Sequence, residues 1–306
     1  MKTAYVFPGQ GSQSVGMLSD IESSFPQVKS IFEQASDILG YDMRALIIDG
    51  PAEKLNKTEF TQPALLTASY AIWELVKQRK PLPNFLAGHS LGEYSALVCA
   101  QALTFEDGLR LVSLRGRLMQ EAVAQGEGAM AAIVGLDDES VQELCKQKAL
   151  SGEVLSAVNY NAPGQVVIAG HAPSVHNAVA AAKEFGAKLA LVLPISVPSH
   201  CSLMHGAADK LAEKINNSTV KMPLIPVVHN VNAMISQNED DIRQALIAQL
   251  FSPVKWVDSI RLLTQEYNVS EITEIGPGAV LTGLLKRIES SLILKNTKNK
   301  TCLEEA

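Results

Sequence analysis

Phe85-Leu86-Ala87-Gly88-His89-Ser90-Leu91-Gly92-Glu93-Tyr94 is the stretch whose reading decides the fold. Phe85 to Gly88 is a short apolar run that follows Pro81 and Pro83, so it reads as a buried strand. Tyr94 to Ala102 reads as a helix. Between the two stands Gly-x-Ser-x-Gly, the spacing of a nucleophile elbow. A turn that sharp forces the serine into strained backbone geometry, and glycines two residues to either side let strand and helix approach closely enough. Ser90 Oγ then stands clear at the head of a helix, and the N–H of Leu91 faces an oxyanion forming beside it. A structural turn is the competing reading, since chance yields such a pentapeptide in about one chain of this length in ten. The flanking strand and helix lower that risk.

Upstream, Thr3 to Phe7 reads as a strand that runs into the turn Pro8-Gly9-Gln10-Gly11-Ser12-Gln13. This turn lacks the Gly-Lys-[Ser/Thr] ending of a phosphate loop and the third glycine of a dinucleotide fingerprint, so both nucleotide readings fail. The glycine-flanked amide at Gln10 suits a second oxyanion contact; an ordinary tight turn is the alternative. Ala64 to Val76 is an amphipathic helix ending before Pro81, and Phe105 to Val123 is another.

Downstream of Gly128 the elements shorten. Ala129 to Val134, Val154 to Val158, Gln165 to Ala169 and Lys188 to Leu193 read as strands, with helices at Asp138 to Lys148 and Ser174 to Phe185. The order βαββαβ is a ferredoxin-like arrangement. Strand and helix signals keep alternating outside it, so it is expected as residues 128–195 inserted into a larger α/β domain made of residues 1–127 and 196–306. The joints fall near Glu127 and Ile195, and the polar tail from Lys295 is expected to fray.

The chain has 306 residues, enough for one large domain or two at roughly 150 residues each. Hydrophobic residues make up 47% and charged residues 19%, which excludes disordered and fibrous classes. A net charge of −6 supplies no field for a phosphate backbone, so nucleic acid is not an expected partner. Met1 to Gly9 is too short and too soon broken for a signal peptide, and apolar stretches such as Leu189 to Val197 fall short of the ~18 residues of a membrane helix. A cytoplasmic protein with no membrane contact is expected. Cys99, Cys145, Cys201 and Cys302 are widely spaced, which suggests neither a zinc site nor a disulfide framework but reduced thiols.

A serine nucleophile needs a base. His89 neighbours Ser90, which points its ring away, and His171 and His176 lie in the inserted unit. His200 follows Pro198-Ser199 where the chain re-enters the large domain, with His205 and His229 as the alternatives. Cys201 as a thiol nucleophile has no elbow around it. On the helix from Phe105, Arg115 falls in the middle of the apolar face, opposite Glu106, Arg110 and Arg117. A guanidinium there needs an anion, either an internal Asp or Glu or a substrate carboxylate, or must snorkel to water.

With these motifs the chain resembles the malonyl-CoA:acyl carrier protein transacylase family over nearly its whole length. The matching stretches are Phe7 to Gln13, Gly88 to Tyr94, Arg115-Gly116-Arg117, Asn159 to Gln165, Pro198-Ser199-His200-Cys201 and Gly276-Pro277-Gly278. The resemblance implies an α/β-hydrolase-like large domain with a parallel sheet and a ferredoxin-like insertion. It implies Ser90 as the acylated serine, His200 as its base, Gln10 and the Leu91 amide as oxyanion donors, and Arg115 as the partner of the malonyl carboxylate. The resemblance also implies that a backbone carbonyl near Gln249, at the substrate site, stands in for the acid of a triad. The implied reaction is ping-pong transfer of malonyl from CoA to the phosphopantetheine thiol of acyl carrier protein, supplying fatty acid synthesis, with no metal and no cofactor.

The expected partners are acyl carrier protein and a CoA thioester, and the expected state is a monomer. Such carrier proteins are acidic, so a local basic surface is expected, with Lys188, Lys286 and Arg287 as candidates. Two other classes fit parts of the pattern. A serine esterase or thioesterase shares the elbow and His200 but passes its acyl group to water, and a carrier-binding module keeps the fold without turnover. Arg115 on an apolar face favours an acidic acyl group, and Ser90 with His200 argues against an inert module.

Overall fold

The computed structural model describes residues 1–195 and 197–305. Among these the strands are, in chain order, β1 (Lys2–Phe7), β2 (Phe85–Gly88), β3 (Gly128–Val134), β4 (Leu155–Ala162), β5 (Gln165–His171), β6 (Leu189–Val192), β7 (Val227–Val228), β8 (Val269–Glu274) and β9 (Ile293–Asn296). They form two sheets. The larger is parallel throughout, ordered β7-β2-β1-β8-β9, and the smaller is antiparallel, ordered β4-β5-β3-β6.

A parallel sheet is buried on both faces, which explains why β1 and β2 read as continuous apolar runs rather than alternating ones. On one face Tyr5, Phe7 and Leu86 pack with the helices Thr58–Val76, Leu91–Cys99 and Phe105–Glu121. On the other, Ala4, Val6 and Ala87 meet Trp256, Ile260 and Leu285. The ends of β1 and β2 therefore sit beneath a shared rim, where Phe7 and Gly88 are in register.

The smaller sheet is built wholly from residues between Gly128 and Val192, in the order expected of a ferredoxin-like unit. The helices Asp138–Lys148 and Ala172–Ala181 cover one face, burying Val141, Leu144, Val175 and Ala178 against Ala131, Ile133 and Ile168. The opposite face carries Met130, Val158, Val167 and Ala169, which pack with Cys201 of the larger body. Two backbone hydrogen bonds stitch the sheets' surroundings together, Tyr160 N–H to Val254 O (3.0 Å) and Val254 N–H to Val158 O (2.8 Å). The fold is thus mixed α/β with a parallel sheet and a separate antiparallel one. The expected joint at Ile195 is followed by Ser196, which lies outside the described residues.

Two expectations are corrected. The helix after the elbow starts at Leu91 rather than Tyr94, because Ser90 turns the chain directly into it. Through Glu305, the last described residue, the tail is ordered structure: β9 pairs with β8, the helix Lys300–Glu305 follows, and Leu303 is buried in the main core. The Lys300 N–H donates to Asp20 Oδ2 at 2.7 Å, which ties that helix to the N-terminal part of the chain.

Candidate active site

Ser90 has φ 51° and ψ −108°, a region that few non-glycine residues occupy. The flanking glycines make it possible. A Cβ on Gly88 would lie 1.9 Å from the Gly92 carbonyl carbon, and a Cβ on Gly92 would lie 2.0 Å from the Phe7 oxygen. No side chain fits either position, so strand, elbow and helix are locked at one separation.

His200 also has positive φ, 65°, and is held there by its own N–H donating to Leu250 O at 3.0 Å. Its ring points at the elbow. Nε2 lies 2.8 Å from Ser90 Oγ, and Nδ1 lies 2.7 Å from the backbone carbonyl oxygen of Gln249. A carbonyl only accepts, so Nδ1 carries the hydrogen and Nε2 is left to accept from the serine hydroxyl. Burial, and after it the positive charge of Arg115, pushes His200 down to about 3. The ring is neutral throughout the physiological range. Cys201 beside it is different. Its Sγ donates to Pro198 O at 3.2 Å, and burial pushes the thiol up to about 11.

Arg115 is 1% exposed, so it does not snorkel. Nor does it find an internal carboxylate, the other expectation for an arginine on an apolar face. Nη1 donates to Gln62 Oε1 (2.8 Å), and Nη2 donates to Gln249 Oε1 (2.8 Å) and to Ser90 Oγ (3.1 Å). All three acceptors are neutral, and burial lowers the guanidinium from its usual range. A buried cation held by neutral oxygens is the arrangement of a site that takes an anion.

The cleft over Ser90 is lined by Gln10, Leu91, Met119, Met130, Ile195 and Ser199, so the small sheet, through Met130, and the loops and helices around the large sheet both contribute to it. Leu91 is the first residue of its helix, where N–H groups have no intrahelical acceptor. The side chain of Gln10 is held by Thr58 Oγ1 at 3.3 Å. Ser90, Leu91, Gln10, Arg115 and His200 thus lie around one cleft, with Gln249 behind it.

His89, His205 and His229 are occupied elsewhere. His89 Nε2 meets Asn161 Oδ1 at 2.7 Å, and the ring packs on Trp256. His205 is exposed and stacks on Phe251. His229 is buried with Nδ1 2.7 Å from Glu93 Oε1. Arg287 donates to Gln165 Oε1 and to Pro163 O, so it braces the β4–β5 turn, while Lys188 and Lys286 are exposed. Sequence reasoning missed Gln62 and Asn230. Neither stands in a recognisable pattern, and Asn230 reaches Ser90 across 140 positions of sequence to accept its N–H at 2.7 Å.

Residues 4–301 match the family described as acyl transferase domain. The chain belongs to the acyl transferase domain family. It is 55% identical over 290 residues to the malonyl CoA-acyl carrier protein transacylase of Escherichia coli strain K12, covering 94% of this chain and 93% of that protein. The protein of the same name from Bacillus subtilis strain 168 is 45% identical over 291 residues, covering 95% and 92%. Among solved structures, an acyl carrier protein S-malonyltransferase from Vibrio cholerae superposes with a TM-score of 0.96 at 50% identity, covering 100% and 99%. A malonyl-transacylase in complex with a holo type II PKS acyl-carrier protein superposes with a TM-score of 0.98 at 51% identity, also covering 100% and 99%. The resemblance drawn from the six motifs is borne out by these acyltransferases.

Proposed function

We propose that this acyltransferase moves a malonyl group from malonyl-CoA to the phosphopantetheine thiol of acyl carrier protein through a malonyl-Ser90 intermediate. The observation that carries the reading is the convergence of His200 Nε2 (2.8 Å) and Arg115 Nη2 (3.1 Å) on one hydroxyl. A base and a carboxylate-binding cation at the same oxygen suit an acyl group whose own carboxylate lies two bonds beyond the reacting carbonyl. The names of the relatives support the same substrate and acceptor.

In the first half-reaction Ser90 Oγ attacks the thioester carbonyl as His200 takes its proton. The N–H groups of Gln10 and Leu91 hold the tetrahedral oxyanion. The C–S bond breaks, and His200 returns the proton to the CoA sulfur. In the second, the carrier thiol gives its proton to His200 and its sulfur attacks the ester; the bond between the malonyl carbonyl carbon and Ser90 Oγ breaks, and Oγ recovers the proton from His200. A ring pushed down to about 3 is a weak base in the empty site. Pairing of the malonyl carboxylate with Arg115 removes the second cause of that depression, so the substrate itself strengthens the base.

On this reading residues 1–127 and 196–306 form the catalytic domain and 128–195 the insertion that closes the cleft. The protein works as a cytoplasmic monomer with no metal or cofactor. The test is intact mass after mixing with malonyl-CoA, followed by holo carrier protein or by buffer alone. The adduct should persist in buffer and discharge on the carrier protein, whereas loss to water at the same rate would make the protein a thioesterase.

A further inference from the structure

Glu93 sits in the first turn of the Leu91–Cys99 helix with none of its surface exposed, and neither half-reaction above uses it. A carboxylate removed from water is costly unless donors saturate it. Three do. His229 Nδ1 lies 2.7 Å from Oε1, while the Asn230 N–H (3.0 Å) and Gln249 Nε2 (2.8 Å) both donate to Oε2.

The two donors on Oε2 belong to the residues that grip Ser90 from either side. Asn230 Oδ1 accepts the Ser90 N–H at 2.7 Å, and its Nδ2 donates to Gly88 O at 2.7 Å. Gln249 Nε2 donates to the Ser90 carbonyl at 3.0 Å as well as to Glu93. Both backbone polar groups of the strained serine are therefore clamped by side chains that one carboxylate anchors. The other end of the same Gln249 amide accepts from Arg115 at 2.8 Å. A buried anion and a buried cation thus face each other through a single amide.

We propose that Glu93 is a positioning and specificity-determining residue: it fixes Asn230 and Gln249 against Ser90, and it is the resident counter-charge of Arg115 with which an incoming acyl carboxylate competes. This rests on the malonyl-transfer reading above. One guanidinium then answers to two carboxylates, Glu93 through the Gln249 amide and the acyl carboxylate directly, and the resident one loosens the hold on the transient one, so an acidic acyl group binds selectively yet leaves.

The test separates charge from shape. Glu93→Gln keeps the volume, and its oxygen still accepts from Asn230 and Gln249. Its amide N–H can donate to His229 Nδ1 once that ring takes the other tautomer and donates to Ser236 Oγ, now 2.6 Å from Nε2. With the charge gone, free malonate as a competitive inhibitor should bind about tenfold tighter. The KM for malonyl-CoA should fall while that for acetyl-CoA does not move. Glu93→Asp keeps the charge but withdraws by a methylene from Gln249 and Asn230. It should lose about tenfold in kcat on both substrates, with malonate inhibition within about twofold of wild type.

Unchanged malonate affinity in Glu93→Gln, or an equal loss on both acyl-CoAs, overturns the counter-charge role. If the glutamine variant does not fold, full kcat in Glu93→Asp overturns the proposal instead. A wild-type protein that is not malonylated overturns the function on which the proposal rests; a malonylated wild type beside an indifferent Glu93→Gln overturns the proposal alone.

Discussion

His200 Nδ1 lies 2.7 Å from the backbone carbonyl oxygen of Gln249, and that carbonyl occupies the place where a triad would put an acid. The carbonyl orients the ring, selects its tautomer and raises its basicity, but it brings no full negative charge, and burial followed by Arg115 outweighs it. Gln249 consequently holds the His200 ring through its main chain and the Arg115 guanidinium through its side chain.

The first prediction concerns pH. With His200 pushed down to about 3 by burial and then by Arg115, kcat/KM for malonyl-CoA should show no break near 6.5 and should fall only well below it. Arg115→Ala removes the second cause and should move the acid limb upward. Stability follows the same sign. An unfolded histidine takes up a proton below about 6.5 and the folded one does not, so the neutral ring's contribution is full above 6.5 and drains away as pH falls toward 3. The Tm of wild type should therefore drop more steeply on acidification than that of His200→Gln.

Malonyl-CoA should acylate Ser90 and nothing else. Cys201 is held out of competition by its hydrogen bond to Pro198 and by a thiol pushed up to about 11. Peptide mapping checks this, and a malonyl mass on Cys201, or on the Ser90→Ala protein, would count against the assignment.

His200→Ala should lose roughly 10³-fold or more in turnover while its melting curve stays cooperative. His205→Ala should remain within about twofold of wild type, because that ring stacks on Phe251 in solvent and makes no bond to Ser90. The reverse result would mean that His205 is the base.

Arg115→Ala should shift acyl preference. Removing one partner of a buried arginine–carboxylate pair costs about 2 to 5 kcal/mol, so at about 3 kcal/mol kcat/KM for malonyl-CoA falls about 150-fold. Acetyl-CoA has no carboxylate to strand and should be handled at least as well as before. Lysine should restore little, since it lacks the planar fork. Equal loss on both substrates would make Arg115 a structural charge.

Gly92→Ala should fail to accumulate as folded protein. The added Cβ would stand 2.0 Å from Phe7 O, main-chain atoms of the central strand that cannot retreat. Expression with a circular-dichroism melt checks it, and a native-like Tm would show that the elbow is looser than its geometry.

Much of this was legible because its cause is local. The elbow needs two glycines within five residues, and the ferredoxin-like unit is contiguous, so periodicity and turn residues carry both. The position of Arg115 could be read from helical phase, since the residues flanking it on that face are apolar. Its partners could not, because Gln62, Ser90 and Gln249 come from three other segments and only the folded sheet brings them together. The roles of Glu93 and His229 were hidden for the same reason. Glu93 lies inside the motif read for the elbow, yet its function is set by contacts 136 to 156 positions away. The tail misled because its polar composition outweighed a short strand whose pairing partner is already in place.

Strand β1 lies between β2 and β8. A ribosome therefore makes β1, the middle strand of the large sheet, well before β8, one of the two strands that flank it. At about 5 to 20 residues per second, the interval between them is roughly 15 to 50 seconds. During that time the small antiparallel unit, whose strands are neighbours in the chain, can close, while β1 has an open edge able to pair with any extended peptide nearby. Ser90 and His200 can first be braced together after Gln249 has emerged, so the newborn chain is open to misassembly throughout that interval.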